Sequence, residues 1–275
     1  RLRACEVLAQ HHGGGLAQVL FGDFSHTYFP IGENTPVELE ITAPDYEALE
    51  EAATGQQLFH PRLVRILLPT HAAICHIEID GKLAAPDPSD TPAKRVLNYG
   101  SSITQGSGAL SSRESCAGRC AHLLGADLIN LGFGGGCHCE PEMADYLCQR
   151  NDFDFAILET GINMLGLDAQ LTDKRIEHLI RKFSAAHNDK PVFCLGVFPC
   201  SEDSKNHFRG RAQQIRELVQ SVVADIASPH LMFIDGRDAL NHSRGTTTDL
   251  THPSPAGMIE IGQYVAGRIQ ASGLV

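Results

Sequence analysis

From residue 95 onward, short apolar runs alternate with longer segments in which apolar positions recur every three to four residues. In one of these segments Ile176, Ile180 and Phe183 share a single helical face. Continuous apolar strands that alternate with amphipathic helices are typical of a parallel sheet covered on both faces. The predicted strands are residues 95–99, 127–131, 155–159, 192–197 and 231–235.

The first part of the chain has a different pattern, in which short β-prone runs recur between turn signals. This spacing favours a small antiparallel β-sandwich. Residues 46–54 are rich in Glu and Ala and are interpreted as either a helical turn or a solvated loop. A proline-rich polar break, DPSDTP, separates the two patterns. The sequence predicts a jelly-roll-like β-sandwich domain over 1–90 and an α/β domain over 91–275; the predicted sandwich strands are residues 17–21, 37–42, 63–68 and 74–79.

Composition narrows the class of protein. A chain of 275 residues with 43% hydrophobic content can bury a sizeable core, and no run approaches the about 18 apolar residues of a membrane span. The net charge of −11 argues against a nucleic-acid partner and favours a small neutral one. Nine scattered cysteines indicate reduced thiols and a cytoplasmic location, although a start without Met leaves room for a removed leader. Homo-oligomerisation stays open.

The segment YGSSITQG, residues 99–106, follows the first predicted α/β strand and carries two serines at its bend. In parallel sheets ligands bind outside the carboxyl ends of the strands, so Ser102 is placed where it could act as a nucleophile. A serine hydroxyl needs a general base, a group that orients the base, and donors for an oxyanion. A Ser-Ser pair at a turn also commonly hydrogen-bonds only its own backbone.

Three further segments near predicted strand ends could supply these groups. Asp249 and His252 are three residues apart, so a tight turn can bring the carboxylate to one imidazole nitrogen while the other faces the serine. Gly135 would let a backbone N–H approach an anionic oxygen, and Asn163 offers an amide donor that does not titrate. Taken singly, Gly135 and Asn163 are common turn residues, and Asp249 and His252 are consistent with a solvated surface turn. The presence of all these segments in this order favours catalysis.

These segments, YGSSIT, NLGFGGG, GIN and DLTH, resemble the four blocks of the SGNH (GDSL-like) hydrolase family over about residues 94–275. The resemblance implies a flavodoxin-like, doubly wound, five-stranded parallel sheet and no cofactor or metal. It implies a triad of Ser102, Asp249 and His252, with an oxyanion hole formed by Ser102, Gly135 and Asn163.

Two positions depart from the usual family pattern. Ser101 stands where the family usually has Asp, and Met164 follows Asn163 where the family often has Asp. Neither position belongs to the triad, so both bear on subfamily and substrate. The variant YGSSIT after a β-sandwich resembles a subgroup that includes SsfX3-like acyltransferases and esterases, and is similar to carbohydrate esterases with an N-terminal jelly roll.

The expected function is therefore that of a serine esterase, which hydrolyses or transfers a small acyl group from an oxygen ester of a carbohydrate or small metabolite. An acyltransferase that uses a small-molecule hydroxyl as acceptor requires the same residues. A non-catalytic glycan-binding protein is the alternative of another class, weakened by the absence of Trp from the chain. The polar segment 199–211, with His207, Arg209 and Arg211, is either a lid over the site or solvated surface.

Two other kinds of site are disfavoured. NLGFGGG followed by Glu159 suggests a nucleotide site, but the third glycine of GxGxxG would fall at Cys137. Cys137, His138 and Cys139, with His122 or Cys120 nearby, suggest a metal site. Adjacent residues alternate sides in an extended chain, so such a triplet rarely reaches one ion.

Overall fold

A computed structural model describes residues 2–4, 15–31, 37–53, 55, 57–70, 77–79, 83–205, 210–240 and 242–275. The chain divides into two compact units, one of residues 1–93 and 110–113, the other of residues 94–109 and 114–275. The described elements of the first unit are β1 (Leu2–Ala4), β2 (Gly15–Phe21), β3 (Phe24–Ile31), β4 (Val37–Leu39), α1 (Tyr46–Ala52), β5 (Val64–Leu67) and β6 (Ile77–Ile79).

The first unit contains two three-stranded antiparallel sheets, ordered β4-β1-β6 and β3-β2-β5. In the second of these sheets Ala17, Val19, Phe29 and Ile31 form a buried cluster. Segment 110–113 belongs to this unit through its hydrogen bonds: Ser112 Oγ donates to the Leu68 carbonyl, and Arg113 donates to the Asp23 carbonyl.

Several predictions for this unit can be compared with the described strands. β2 and β5 match predicted strands, whereas β1 and β3 were not predicted. The strand predicted over 37–42 is observed only as β4, over Val37–Leu39. Of the strand predicted over 74–79, only the residues of β6 lie within the described part of the chain. The helical interpretation of 46–54 is confirmed by α1, which begins where the Asp45 side chain accepts a hydrogen bond from the Ala48 N–H.

The second unit is built on a parallel sheet ordered β11-β10-β9-β7-β8, which is the flavodoxin order when its strands are numbered along the chain. The predicted doubly wound α/β fold is therefore confirmed. Its strands are β7 (Lys94–Gly100), β8 (Ala126–Gly132), β9 (Phe155–Glu159), β10 (Val192–Leu195) and β11 (Leu231–Ile234). Its helices are α2 (Ser102–Gln105), α3 (Cys116–Leu123), α4 (Pro141–Gln149), α5 (Ala169–Ala186), α6 (Ser201–Lys205), α7 (Arg211–Ile226) and α8 (Pro255–Ser272).

Two apolar clusters cover the two faces of this sheet. Leu97 and Leu158 belong to the cluster that includes residues of α4, α5 and α7, whereas Val96 and Ile157 belong to the cluster that includes residues of α3 and α8. Because successive side chains of a strand point to opposite faces, neighbouring positions such as Val96 and Leu97, or Ile157 and Leu158, are both apolar. This explains the continuous apolar runs in the sequence.

The polar segment after β10 is held by buried arginines. Arg211, at the start of α7, is buried and donates to Asp173 and to the Ala169 carbonyl, so the structure places it in the interior rather than on a lid. Arg216 is also buried; it donates to the Val197 and Phe198 carbonyls and forms a bidentate pair with Asp203. His207 and Arg209 lie outside the described residues.

Candidate active site

Ser102 begins the short helix that follows β7. Ser101 is the N-cap of this helix, and its hydroxyl accepts a hydrogen bond of 3.1 Å from the Ile103 N–H. As the first residue of α2, Ser102 has no acceptor for its own N–H within the helix. The Ser102 side chain is 8% exposed, and its Oγ lies 2.8 Å from His252 Nε2. The structure thus brings together two predicted residues that are far apart in the chain.

The turn that carries Asp249 and His252 is tightly hydrogen-bonded. Asp249 Oδ2 lies 2.6 Å from His252 Nδ1, while Oδ1 accepts from the His252 N–H at 2.9 Å and the Thr251 N–H at 2.8 Å. The Thr247 hydroxyl donates to the same Oδ1 at 2.7 Å. Leu250, between acid and base, has a left-handed φ of 57°, which closes the turn. The Asp249 carboxylate therefore orients both the His252 imidazole and the backbone of Thr251 and His252.

The charge of Asp249 follows from these contacts. Partial burial raises the pKa of Asp249, but hydrogen bonds from the His252 side chain and backbone, Thr247 and Thr251 outweigh it and hold that pKa well below its usual range. Asp249 is therefore ionised at neutral pH and can only accept hydrogen bonds. Because Nδ1 of His252 must then carry the proton, Nε2 presents a lone pair to the Ser102 hydroxyl.

Helix α8 follows this turn directly in the chain and holds it in place. Ser254 is the N-cap of α8, where its hydroxyl accepts from the Gly257 N–H at 3.2 Å, and Pro255 is the first helical residue. The His252 carbonyl accepts from the Thr247 N–H at 2.9 Å. His252 is thus fixed at the entrance of a rigid element.

Asn163 lies in the short helical turn after β9. Its side-chain Oδ1 accepts a hydrogen bond of 3.2 Å from the Cys137 N–H. This contact commits the amide oxygen to the glycine-containing loop after β8, so the amide NH₂ group is turned away from that bond and is available as a donor. Gly161 has a φ of 106°, a conformation that favours glycine, and it begins the turn that presents Asn163.

The glycine loop places Gly134 next to the serine. A Cβ added to Gly134 would lie 3.7 Å from Ser102 Cβ, whereas one added to Gly135 would meet nothing within 4 Å. Gly134 N–H donates to Gln105 Oε1 at 2.8 Å. Gly134 and Gln105 are the site neighbours that sequence reasoning missed. In a run of three glycines the sequence has no signal that tells which one faces the nucleophile.

A cleft of about 580 Å³ adjoins this loop within the second unit. Gly134 therefore borders both the cleft and Ser102. The side chains of the cleft are mixed, with amide, aromatic, carboxylate and thioether groups on its walls. The side chains that line it are Gln105, Phe133, Glu140, Glu142 and Met143.

Comparison with known proteins gives the family of this fold and site. The model of the GDSL-like lipase/acylhydrolase family matches residues 99–258, which is more than half of the chain. The chain belongs to this family. As a GDSL-like, or SGNH, protein it is a serine hydrolase, and the interpretation as a non-catalytic glycan-binding protein is set aside. None of the curated proteins is significantly similar to the chain.

Solved structures with a fold similar to that of this GDSL-like hydrolase include an acyltransferase and carbohydrate esterases. The salicylyl-acyltransferase SsfX3 from a tetracycline biosynthetic pathway is 18% identical, with a TM-score of 0.72 over 97% of this chain and 76% of that one. A carbohydrate esterase family 2 enzyme of Corynascus thermopiles is 14% identical, with a TM-score of 0.63 over 98% and 90%. A family 2 carbohydrate esterase from Clostridium thermocellum is 17% identical, with a TM-score of 0.62 over 96% and 87%. At these identities the likeness shows the fold.

The disfavoured sites can now be judged from the structure. Glu159 is buried beneath the Ser102 turn, so it does not face a bound ribose. Hydrogen bonding to Cys139 and burial raise the pKa of the Cys137 thiol well above its ordinary value, so the thiol is protonated at neutral pH. His138 instead faces Glu140, at 3.5 Å. Within the described residues no group of three or more His, Cys, Asp or Glu side chains could hold a metal ion.

Proposed function

We propose that this GDSL-like hydrolase removes a small acyl group from an oxygen ester through an acyl-enzyme on Ser102. The observation that carries the proposal is the continuous hydrogen-bonded path from Ser102 Oγ through both nitrogens of His252 to Asp249, with distances of 2.8 and 2.6 Å. This is the arrangement that converts a weakly nucleophilic hydroxyl into an attacking oxygen.

The reaction proceeds in two halves. His252 Nε2 takes the Ser102 proton as Oγ attacks the ester carbonyl, and Asp249 stabilises the imidazolium that forms. The imidazolium then gives its proton to the leaving alcohol oxygen, which leaves the acyl group on Ser102. In the second half His252 takes a proton from water as the water oxygen attacks the acyl-enzyme carbonyl. The imidazolium then returns a proton to Ser102 Oγ as the bond from Oγ to the acyl carbon breaks and the acid leaves. No cofactor or metal is needed for either half.

The oxyanion of each tetrahedral intermediate requires donors near Ser102. We assign this role to the Ser102 N–H, to the Asn163 amide NH₂ and to one glycine N–H of the loop after β8. The contact with Ser102 favours Gly134 over the sequence-predicted Gly135 for this third donor. Gln105 Oε1 now accepts from the Gly134 N–H, so its amide must move when the oxyanion forms. Loss of one such donor typically lowers kcat by about 10²- to 10³-fold.

The test is labelling and turnover at Ser102. Wild-type protein is expected to hydrolyse p-nitrophenyl acetate and to be labelled at Ser102 by a fluorophosphonate, as read by peptide mass spectrometry. Ser102→Ala should lose both, Asn163→Ala should lower kcat with little change in KM, and Ser107→Ala, a serine of the same segment, should retain both. Folded wild-type protein that is neither active nor labelled at Ser102 would falsify the proposal.

Transfer to an alcohol is the second candidate, favoured by the similarity of fold to an acyltransferase over nearly the whole chain. Both reactions pass through the same acyl-enzyme and differ in whether water or a hydroxyl compound captures it. The discriminating measurement is the ratio of ester to acid product from p-nitrophenyl acetate when glycerol, xylose or a phenol is added. Acylated sugar substrates, compared with p-nitrophenyl esters, test the proposal that the natural ester is a carbohydrate or a small metabolite.

The partner and compartment are proposed on simpler grounds. The net charge of −11 supports a small neutral ester rather than a nucleic acid as the partner. The seven cysteines in the described part of the chain are all free thiols, which supports a reducing, cytoplasmic environment; Cys5 and Cys75 lie outside that part. In the described ranges, no helix is long and apolar enough to cross a membrane.

A further inference from the structure

Glu159 is a buried carboxyl group for which the reaction above has no use. It is the last residue of β9, and its side chain is 1% exposed. Its Oε2 accepts three hydrogen bonds, all from the turn that carries Ser102: from the Ser101 N–H at 2.7 Å, the Ser101 hydroxyl at 2.7 Å and the Thr104 hydroxyl at 3.1 Å. Within the described residues, every hydrogen bond that this carboxyl group accepts therefore comes from the nucleophile segment.

Keeping a carboxyl group at this depth is costly. Burial raises the pKa of Glu159, although the hydrogen bonds from Ser101 and Thr104 oppose that rise. In the described part of the chain Glu159 has no cationic partner within ion-pair distance. An apolar side chain would fill the same place without this cost, so the hydrogen bonds to the turn are what the carboxyl group contributes.

The contacts bracket the nucleophile in the sequence. Ser101 donates its hydroxyl hydrogen to Glu159 and accepts from the Ile103 N–H, so the carboxyl group orients the N-cap of α2. Thr104 is tied to the same oxygen. Ser102 thus lies between two anchored residues, which sets the direction in which its Oγ leaves the backbone.

Gly100 allows the carboxyl group to come this close. A Cβ at Gly100 would lie 2.6 Å from Glu159 Oε2 and would also collide with the Thr104 hydroxyl. The strands β7 and β9 are paired up to Tyr99 and Leu158, so Gly100 and Glu159 are the next residues of the two strands. The acid therefore reaches the turn directly across the sheet.

We propose that Glu159 is a positioning residue for the nucleophile. It holds the turn that carries Ser102, so that Ser102 Oγ stays within hydrogen-bond distance of His252 Nε2. The inference depends on the proposed role of Ser102 in acyl transfer. Glu159 itself does not touch the substrate. It lowers the freedom of the attacking oxygen, and misplacement of a reacting atom by about 1 Å can cost up to about 100-fold in rate.

The test compares Glu159→Leu with Thr160→Val. Leucine fills the same place with an apolar side chain, but it has no oxygen that could accept the three hydrogen bonds that Oε2 receives. Thr160 is the matched control, because it is the next residue, is equally buried, and its hydroxyl has no partner in the described part of the chain. For each variant one measures kcat, KM, the rate of Ser102 labelling by a fluorophosphonate, and the melting temperature.

In folded Glu159→Leu we expect kcat and the labelling rate to fall together by about 10- to 100-fold, with KM nearly unchanged. Thr160→Val should keep all of these near wild type. Wild-type kcat in folded Glu159→Leu, or an equal loss in Thr160→Val, would overturn the inference.

If Glu159→Leu does not fold, Ser101→Ala decides the question, because it removes the hydroxyl that links Glu159 to the N-cap. A selective loss of kcat and labelling supports the proposal, and unchanged values contradict it. Wild-type protein that is not labelled at Ser102 would instead refute the proposed function itself, so the two failures can be told apart.

Discussion

Asp249→Asn is expected to lower kcat/KM by about 10- to 100-fold while leaving its turn folded. The asparagine Oδ1 can still accept from the His252 and Thr251 N–H groups, as Asp249 Oδ1 does now. Its NH₂ group, however, would face His252 Nδ1. That nitrogen would then have to accept, which moves the imidazole proton to Nε2 and leaves no lone pair for Ser102.

The magnitude follows from the exposure of the acid. A hydrogen bond to a charged group contributes about 1.5–3 kcal/mol, which corresponds to about 10- to 150-fold in rate. The same replacement in a serine protease costs about 10⁴-fold in kcat. The Asp249 side chain is 50% exposed, so solvent screens its interaction with the imidazolium. The loss of rate should therefore lie nearer to the range of about 10- to 150-fold than to about 10⁴-fold.

The assay is steady-state hydrolysis of p-nitrophenyl acetate, with the melting temperature measured on the same preparations. Thr247→Val is the matched control: it removes one donor to Asp249 Oδ1 but leaves the contact of 2.6 Å between Oδ2 and Nδ1. We expect less than about a fivefold loss in this control. Folded Asp249→Asn with more than half of wild-type kcat/KM would refute the tautomer argument, as would an equal loss in Thr247→Val.

Three other changes test separate parts of the structure. Gly134→Ala would place a methyl group 2.7 Å from Gln105 Oε1 and 3.7 Å from Ser102 Cβ, so the Gln105 side chain must shift beside Ser102 and kcat should fall by up to about 100-fold with little change in melting temperature; an unchanged kcat would argue against a close approach at this glycine. Arg216→Ala removes the cation that pairs with Asp203 and donates to two carbonyls, while Asp203 stays 36% exposed and keeps its hydrogen bond from the Cys200 N–H. Urea unfolding should therefore show a loss of about 1.5–3 kcal/mol, and a loss below about 0.5 kcal/mol would contradict the pair. The folded-state pKa of Glu159 is raised above its ordinary value of 4.5, so the stability it contributes is present below that value and is lost as pH rises through the folded-state pKa. Glu159→Gln lacks this loss, and its melting temperature should therefore gain on wild type as pH rises above about 4.5; parallel curves would contradict the raised pKa.

The layered α/β unit could be predicted because its signals are local. A strand buried on both faces reads as a continuous apolar run, and a helix that covers it has apolar positions at helical spacing. The strands of the first unit were predicted less completely, because β1 and β3 were not predicted. In β3 the residues from Phe24 to Tyr28 are at least partly exposed, so its sequence lacks a clear alternation of buried and exposed positions.

The sequence by itself determined which residues could perform the chemistry. Asp249 and His252 are close in the chain, so their contact follows from one turn, and the order of the four motifs indicated that Ser102 and Asn163 belong with them. What only the tertiary structure decided was how these groups meet. The approach of Gly134 rather than Gly135 to Ser102 depends on the path of one loop beside α2.

Glu159 is the clearest case of this difference. It is 58 residues from Ser101 in the chain, and the two meet only because β7 and β9 pair side by side and Gly100 leaves room for a carboxyl group between them. Hydrogen bonds act over about 3 Å in space, whereas sequence patterns report neighbours along the chain. The sequence therefore determined the strands, the helices and the candidate reactive groups, and the packing of the strands decided which buried acid holds the nucleophile.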